Sequence, residues 1–217
     1  MKPYYQDEWV TIYHGDCREI LPTLEKVDLV LTDPPYNPGI LKDIYHKRTR
    51  QPKTSMAPKR IYPDSWDSFD ATEIIMDLTN CPMIVWGGNN FPLPPSLCWL
   101  VWDKLNGSND FSDCELAWTN LPFQGIRIFR WLWSGAIMQQ PETRLHPTMK
   151  PLALMKWCIK KADEADIILD PFMGSGTTLR AAKDLNRHCI GIEIEEKYCE
   201  IAAKRCSQSV FNFSEGE

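Results

Sequence analysis

Residues 166–206 leave few folds open. The stretch "DIILDPFMGSGTT" (166–178) runs from an apolar strand into a glycine turn, and "TTLRAAKDLN" continues as a helix. "HCIGIEIE" (188–195) then reads as a second strand and "EKYCEIAAKRC" (196–206) as a second helix. Strands separated by single helices pair in parallel, because the crossover carries the chain back to the same end of the sheet. The N-terminal part alternates in the same way. "WVTIYHGD" (9–16) is a strand, "CREILPTL" a short proline-interrupted helix, and "VDLVLTDPPY" (27–36) a strand with nearly continuous apolar residues. "DATEIIMDLT" reads as a helix with Asp70 at the N-cap and Glu73 completing a capping box. "PMIVWGGNN" is a strand closing on two glycines, and "CWLVWDK" (98–104), "ELAWTN" (115–120) and "IRIFRWLW" (126–133) are three more. "PLALMKWCIKKADEA" (151–165) is an amphipathic helix with proline in its first turn. The expected fold class is α/β: a mostly parallel sheet with helices on both faces.

A chain of 217 residues, 43% hydrophobic and 24% charged, can build one sizeable core, so residues 1–217 are read as a single domain. No apolar run reaches the ~20 residues of a membrane span. The opening "MKPYYQDEWV" lacks a signal-peptide core, so a soluble cytoplasmic protein without membrane contact is expected. The eight cysteines include no CxxC pair and the four histidines no HExxH, which predicts neither a metal site nor a disulfide framework. The cysteines are expected to pack as small hydrophobes, and so are His14 and the tryptophans at 99, 102, 118, 131 and 133.

A net charge of −5 argues against a generally basic nucleic-acid binder. The charge is uneven, however. Residues 42–60, "KDIYHKRTRQPKTSMAPKR", carry seven basic residues against one acid. Two prolines and no periodicity make this a loop, with bounds near 37–62. It follows directly on "DPPY" (33–36), where a core strand ends on an acid and two prolines. Most charge runs are solvated surface, but the position of this one beside such a turn points to a role in function.

The Gly174–Ser175–Gly176 turn follows a strand and opens a helix, where backbone can approach a ligand closely. It is not a P-loop: no lysine follows the second glycine, and Asp170 would repel phosphate. An acid beside a glycine turn suits a ligand carrying an amine or positive charge. Glu193 ends the next strand, where open α/β sheets place a carboxylate on a ribose. Together these residues suit a nucleoside-type cofactor.

"DPPY" (33–36), "HPTMKP" (146–151) and "DPFMGSGTT" (170–178), taken together, resemble the motifs of the amino-methylating DNA methyltransferases, in the permuted order called the β group. "CELAWTN" (114–120) is similar to small phage or prophage members. The resemblance implies a Rossmann-like S-adenosylmethionine (SAM) methyltransferase sheet. In it, strands 27–32 and 167–170 lie side by side at the centre, and one antiparallel strand lies near an edge. It implies SAM as cofactor and DNA as partner. Asp170, Phe172, Gly174, Ser175, Gly176 and Thr177 would line the methionine part of the cofactor, Glu193 would take the ribose hydroxyls, and Asp16 would lie near the adenine amine. His146 and Lys150 would approach the cofactor's carboxylate end. The target amine would bind the Asp33 carboxylate and the Pro34 carbonyl, on a turn stiffened by Pro34 and Pro35, with Tyr36 stacking on a flipped base. Lys47, Arg48, Arg50, Lys53, Lys59 and Arg60 would meet the DNA backbone.

Only residues 104–145 or so are free for target recognition. Either specificity is short or loose, or a second subunit, as in a homodimer, supplies DNA contacts. By the same resemblance, Asp33 at the first motif position points to adenine N6. Cytosine N4, an amine in RNA or in a protein glutamine, and a non-catalytic DNA-binding relic are the alternatives.

Overall fold

The computed structural model describes residues 1–35, 69–106, 112–123, 125–134, 137–138 and 149–208. Strands β1 (Tyr5–Gln6), β2 (Val10–His14), β3 (Leu29–Thr32), β4 (Met83–Trp86), β5 (Cys98–Asp103), β6 (Cys114–Thr119), β7 (Gly125–Arg130), β10 (Ile167–Asp170) and β11 (His188–Glu193) form one sheet. Its order is β1-β2-β11-β10-β3-β4-β6-β5-β7, and β8 (Trp133–Ser134) and β9 (Ile137–Met138) pair separately. Strands β2, β11, β10, β3 and β4 are mutually parallel. β6 runs against both β4 and β5, while β5 and β7 pair in parallel. The expected central pairing is present: Ile168 lies opposite Leu29 and Leu169 opposite Val30.

Alternate residues of the central strands enter two different cores. Leu29, Leu31, Ile84, Trp86 and Ile168 pack with Leu154, Met155, Cys158 and Ile159 of α3 (Leu152–Ile159), Leu179 and Ala182 of α4 (Thr177–Lys183), and Ala202 of α5 (Glu196–Ser207). Val30, Met83, Val85, Leu169 and Ile192 pack instead with Ile20 of α1 (Cys17–Ile20) and Ile74 and Ile75 of α2 (Thr72–Asp77). Helices therefore cover both faces. This explains why the central strands read as unbroken apolar runs: neither face of them meets water.

Several local expectations shift. α2 has Ala71 as its N-cap, and Asp70 reaches in from one residue further out to accept from the Thr72 N–H at 2.9 Å. α3 stops at Ile159, earlier than expected, and "KKADEA" continues as turns that still bury Ala165. His14, expected to pack, is exposed, with its Nε2 3.1 Å from the Ile194 carbonyl. Trp102, Trp118 and Trp133 are buried, and Trp99 and Trp131 are half-buried. Six of the eight cysteines are buried and none is bonded to another. Among the described residues no helix is long and apolar enough to cross a membrane.

Candidate active site

The chain leaves β3 towards β4 and leaves β10 towards β11, so the connections diverge between the two central strands. Open α/β sheets bind ligands at such a point, beyond the carboxyl ends of the strands. That edge carries a row of acids. Glu193 and Asp170 end β11 and β10, Asp33 follows β3, and Asp16 lies two residues past β2. Because β6 is antiparallel, Glu115 near its start comes to the same edge, and Lys104 arrives there just after β5.

Asp170 is 3% exposed and fully engaged. Thr32 Oγ1 donates to Oδ1 at 2.8 Å, Thr178 Oγ1 to Oδ2 at 2.6 Å, and the Phe172 N–H to Oδ1 at 3.2 Å. Burial pushes this carboxyl up to about 6, against the pull of the three donors. Asp170 thus ties the end of β3 to the start of α4. Both its oxygens are already used, whereas the sequence pattern points to an acid facing a ligand's amine.

In the turn that follows, Gly174 (φ +50°) and Gly176 (φ +76°) are left-handed. A Cβ on Gly176 would stand 2.7 Å from the Ala202 Cβ, so this glycine lets α5 approach the turn. Glu193 holds the turn from β11: its Oε2 accepts the Gly174 N–H at 3.0 Å and its Oε1 the Glu195 N–H at 2.8 Å. Burial raises the Glu193 carboxyl despite these donors. Ser175 and Thr177 are buried, and Arg205 on α5 donates to Thr177 Oγ1 at 2.9 Å.

β2 joins the same group. The Gly15 N–H donates to the Glu193 carbonyl at 3.0 Å, which sets Asp16 beside the end of β11. Asp16 caps α1 and pairs with Arg18, whose guanidinium holds its carboxyl low. The Arg18 guanidinium lies 5.3 Å from the Phe69 ring centre, and Phe69 meets Phe172 edge-on at 5.9 Å. Asp16, Arg18, Phe69 and Phe172 therefore form one connected rim.

Asp33 follows β3 into Pro34, which is buried, and Pro35. Lys150 Nζ donates to Asp33 Oδ2 at 2.5 Å and lies 3.2 Å from Glu115 Oε2; Lys104 Nζ lies 2.5 Å from Glu115 Oε1. Burial raises the Asp33 carboxyl, with Lys150 opposing and Glu115 reinforcing. Burial would also raise Glu115, but its two ammonium neighbours overcome it and hold the group at about 2. The resemblance implies a place for Lys150 near a cofactor carboxylate, yet its ammonium is committed to two side chains at the DPPY turn.

The structure thus brings Asp16, Asp33, Asp170, Glu193, Lys150 and the glycine turn to one sheet edge. Tyr36, His146 and the basic residues Lys47, Arg48, Arg50, Lys53, Lys59 and Arg60 lie outside the described residues. The sequence reading passed over Glu115, Lys104, Thr32, Thr178 and Phe69. Only Glu115 and Lys104 left a trace: they are opposite charges flanking two apolar strands at the ends that antiparallel pairing brings together.

A model of the DNA methylase family, the N6/N4 methyltransferases, matches residues 99–204, a span that includes Lys150, the glycine turn and Glu193. The type II methyltransferase M.ScaI of Streptomyces caespitosus is 28% identical over 262 aligned residues, covering 97% of this chain and 86% of the relative. M2.LlaDCHI of Lactococcus lactis subsp. cremoris is 27% identical, covering 95% and 93%. Among solved structures, the M1.HpyAVI–SAM complex is 27% identical with a TM-score of 0.56, covering 92% of this chain and 100% of that one. The cytosine-N4-specific PvuII DNA methyltransferase shares the fold at 15% identity, with a TM-score of 0.61 and coverage of 96% and 90%. Across nearly its whole length the chain is therefore similar to type II methyltransferases, and over residues 99–204 to the N6/N4 DNA methylase family.

Proposed function

We propose that this chain is a SAM-dependent DNA methyltransferase that modifies the exocyclic N6 amine of adenine in a flipped-out base. One observation carries the reading: Asp33 and the Asp170–Gly176 turn leave neighbouring parallel strands at the point where the connections diverge. Two turns 137 residues apart in the chain thereby share one crevice.

The residues present suit SAM. Glu193 is a carboxylate at the end of β11, already oriented by the Gly174 and Glu195 N–H groups, and is the candidate for the ribose hydroxyls. Gly174 presents backbone without a side chain at a left-handed position. Phe172 and Asp16 stand on the rim beside them. When bound, SAM supplies a methyl group on a sulfonium. Asp170 serves this site through Thr32 and Thr178, by fixing the turn's origin.

An aromatic amine is a poor nucleophile because its lone pair is delocalised into the ring. The Asp33 carboxylate and the Pro34 carbonyl are two acceptors that can hold its two N–H groups and favour a geometry with the lone pair free. Most of the acceleration then comes from placement. Tyr36 supplies a stacking face for the flipped base. DNA phosphates fall to the basic stretch at 42–60, and target recognition to residues 104–145. The 262-residue alignment with M.ScaI is longer than this chain, so the relative has residues without a counterpart here, which fits a short recognition region.

The test is mass spectrometry of nucleosides from DNA treated with the protein and SAM. N6-methyladenine as major product supports the reading. N4-methylcytosine alone would move the target to cytosine, and methylation of RNA alone would replace the substrate.

A further inference from the structure

Four side chains alternate in sign beneath the DPPY turn: Lys104, Glu115, Lys150 and Asp33. None is freely solvated; their side chains are 16%, 27%, 7% and 20% exposed. Lys150 donates a hydrogen bond to Asp33 Oδ2, on the carboxylate proposed for the base amine. Glu115 Oε2 lies 3.2 Å from the same ammonium, yet it is buried and has no aligned hydrogen-bond donor among the described residues. Its partner oxygen is fixed by Lys104 at 2.5 Å, so the carboxylate cannot easily turn away. A buried acceptor without an aligned hydrogen bond is costly, and here it faces an ammonium that donates to Asp33.

We propose that Glu115 is a positioning residue that receives the Lys150 ammonium when an amine occupies Asp33, making Lys150 a displaceable occupant of the amine site. The proposal rests on the reading of Asp33 as the amine acceptor. Expelling an ammonium that is 7% exposed into solvent would take the Lys150 cation from Asp33 and leave Glu115 with Lys104 alone. A swing from Asp33 Oδ2 to Glu115 Oε2 instead exchanges one charged hydrogen bond for another. Asp33 exchanges an ammonium donor for an amine donor, and no proton or covalent bond changes hands. Among the described residues, the charged groups facing Asp33 are Lys150, Glu115 and Lys104, with Asp170 on the neighbouring strand. Lys150 lowers the Asp33 carboxyl and Glu115 raises it.

A double-mutant cycle on the full chain tests the exchange. Glu115→Gln should lower kcat/KM for DNA by about tenfold, because Lys150 loses its alternative partner, while calorimetric SAM affinity stays at the parent value. In a Lys150→Met background there is no occupant to move, so adding Glu115→Gln should cost less than about threefold. Equal losses in both backgrounds would assign Glu115 a purely structural role and overturn the proposal. If Glu115→Gln does not fold, Glu115→Asp takes its place, with a smaller loss suppressed in the same way. A second readout needs no turnover. The ¹³C carboxyl titration of Asp33 in the ligand-free protein, assigned by its loss in Asp33→Asn, should move up in Lys150→Met and down in Glu115→Gln. An unmoved titration in Glu115→Gln also overturns the proposal. A parent protein that methylates no DNA removes the functional reading and this proposal with it, whereas either result above removes this proposal alone.

Discussion

Thr32, the last residue of β3, donates its hydroxyl to Asp170, the last residue of β10, at 2.8 Å. That bond couples the strand leading into the DPPY turn to the strand leading into the glycine turn, the two halves of the proposed site. Asp170 needs it, since its other side-chain donor is Thr178.

Thr32→Val keeps the shape and removes the donor, leaving a buried carboxylate short of a partner. Urea unfolding at neutral pH should show a loss of about 1.5–3 kcal/mol, the range for hydrogen bonds to charged groups. Thr32 lowers the Asp170 carboxyl, so its removal should push that group further up. The penalty should accordingly be larger at pH 8 than at pH 5. A penalty that does not change with pH would show that the hydroxyl matters only for packing.

Asp170 itself gives stability a defined pH dependence. Its folded value of about 6 lies above the ordinary 3.8, so the folded state holds the proton more tightly than the unfolded chain. The unfolding free energy therefore falls as pH rises from about 4 to 6 and is level above that window. The contribution is on the order of 2–3 kcal/mol. Asp33 and Glu193, also raised by burial, act in the same sense. Asp170→Asn should remove most of the fall relative to the parent in denaturant titrations across that range. A parent curve that rises with pH over the window would contradict the assignment.

Much of the fold was legible because its signals are local. The runs around Leu29–Thr32 and Ile167–Asp170 are apolar on both faces, and proline or glycine marks where each ends. The carboxylates at the sheet edge were legible for the same reason, each following directly on a strand. The partners of those carboxylates were not legible. Lys150 meets Asp33 across 117 residues, and Thr32 meets Asp170 across 138, so both contacts depend on strand order rather than on spacing. The reason for a glycine at 176 was equally hidden, since the atom that excludes a side chain belongs to Ala202 on another helix.

Gly176→Ala should therefore be costly on two counts. The left-handed backbone (φ +76°) disfavours any Cβ, and the new methyl would meet the Ala202 Cβ at 2.7 Å. A left-handed non-glycine residue alone costs roughly 1–2 kcal/mol. Ala202→Gly should cost about 1 kcal/mol by itself, as glycine does inside a helix. In combination the two should destabilise less than their sum, because only the steric part is relieved. Strict additivity of the melting data would mean that α5 shifts freely and that the close approach is not a constraint.

The basic stretch at 42–60 carries a prediction of a different kind, about binding rather than stability. Neutralising Lys47, Arg48 and Arg50 together should weaken binding to all DNA sequences alike. The slope of log affinity against log salt should become shallower by roughly one unit per lost phosphate contact. An unchanged slope in fluorescence titrations would place these charges away from the DNA backbone.

Asp33 and Glu193 should separate the two binding tasks of the site, since Asp33 follows β3 and Glu193 ends β11, each with different partners. Glu193→Ala removes the proposed ribose acceptor and also frees the Gly174 N–H, so SAM affinity should fall by about one to two decades. Glu193→Gln keeps one acceptor oxygen and should fall less. Asp33→Ala should behave in the opposite way. It leaves the glycine turn intact, so calorimetric SAM affinity should stay near the parent value while methyl transfer to DNA is lost. Lys150 then keeps Glu115 as its partner, 3.2 Å away, so the Asp33 variant should still fold, which circular dichroism and thermal melting would check. Substantial turnover in Asp33→Ala would remove the carboxylate from the amine site, and parent-like SAM affinity in Glu193→Ala would remove Glu193 from the ribose.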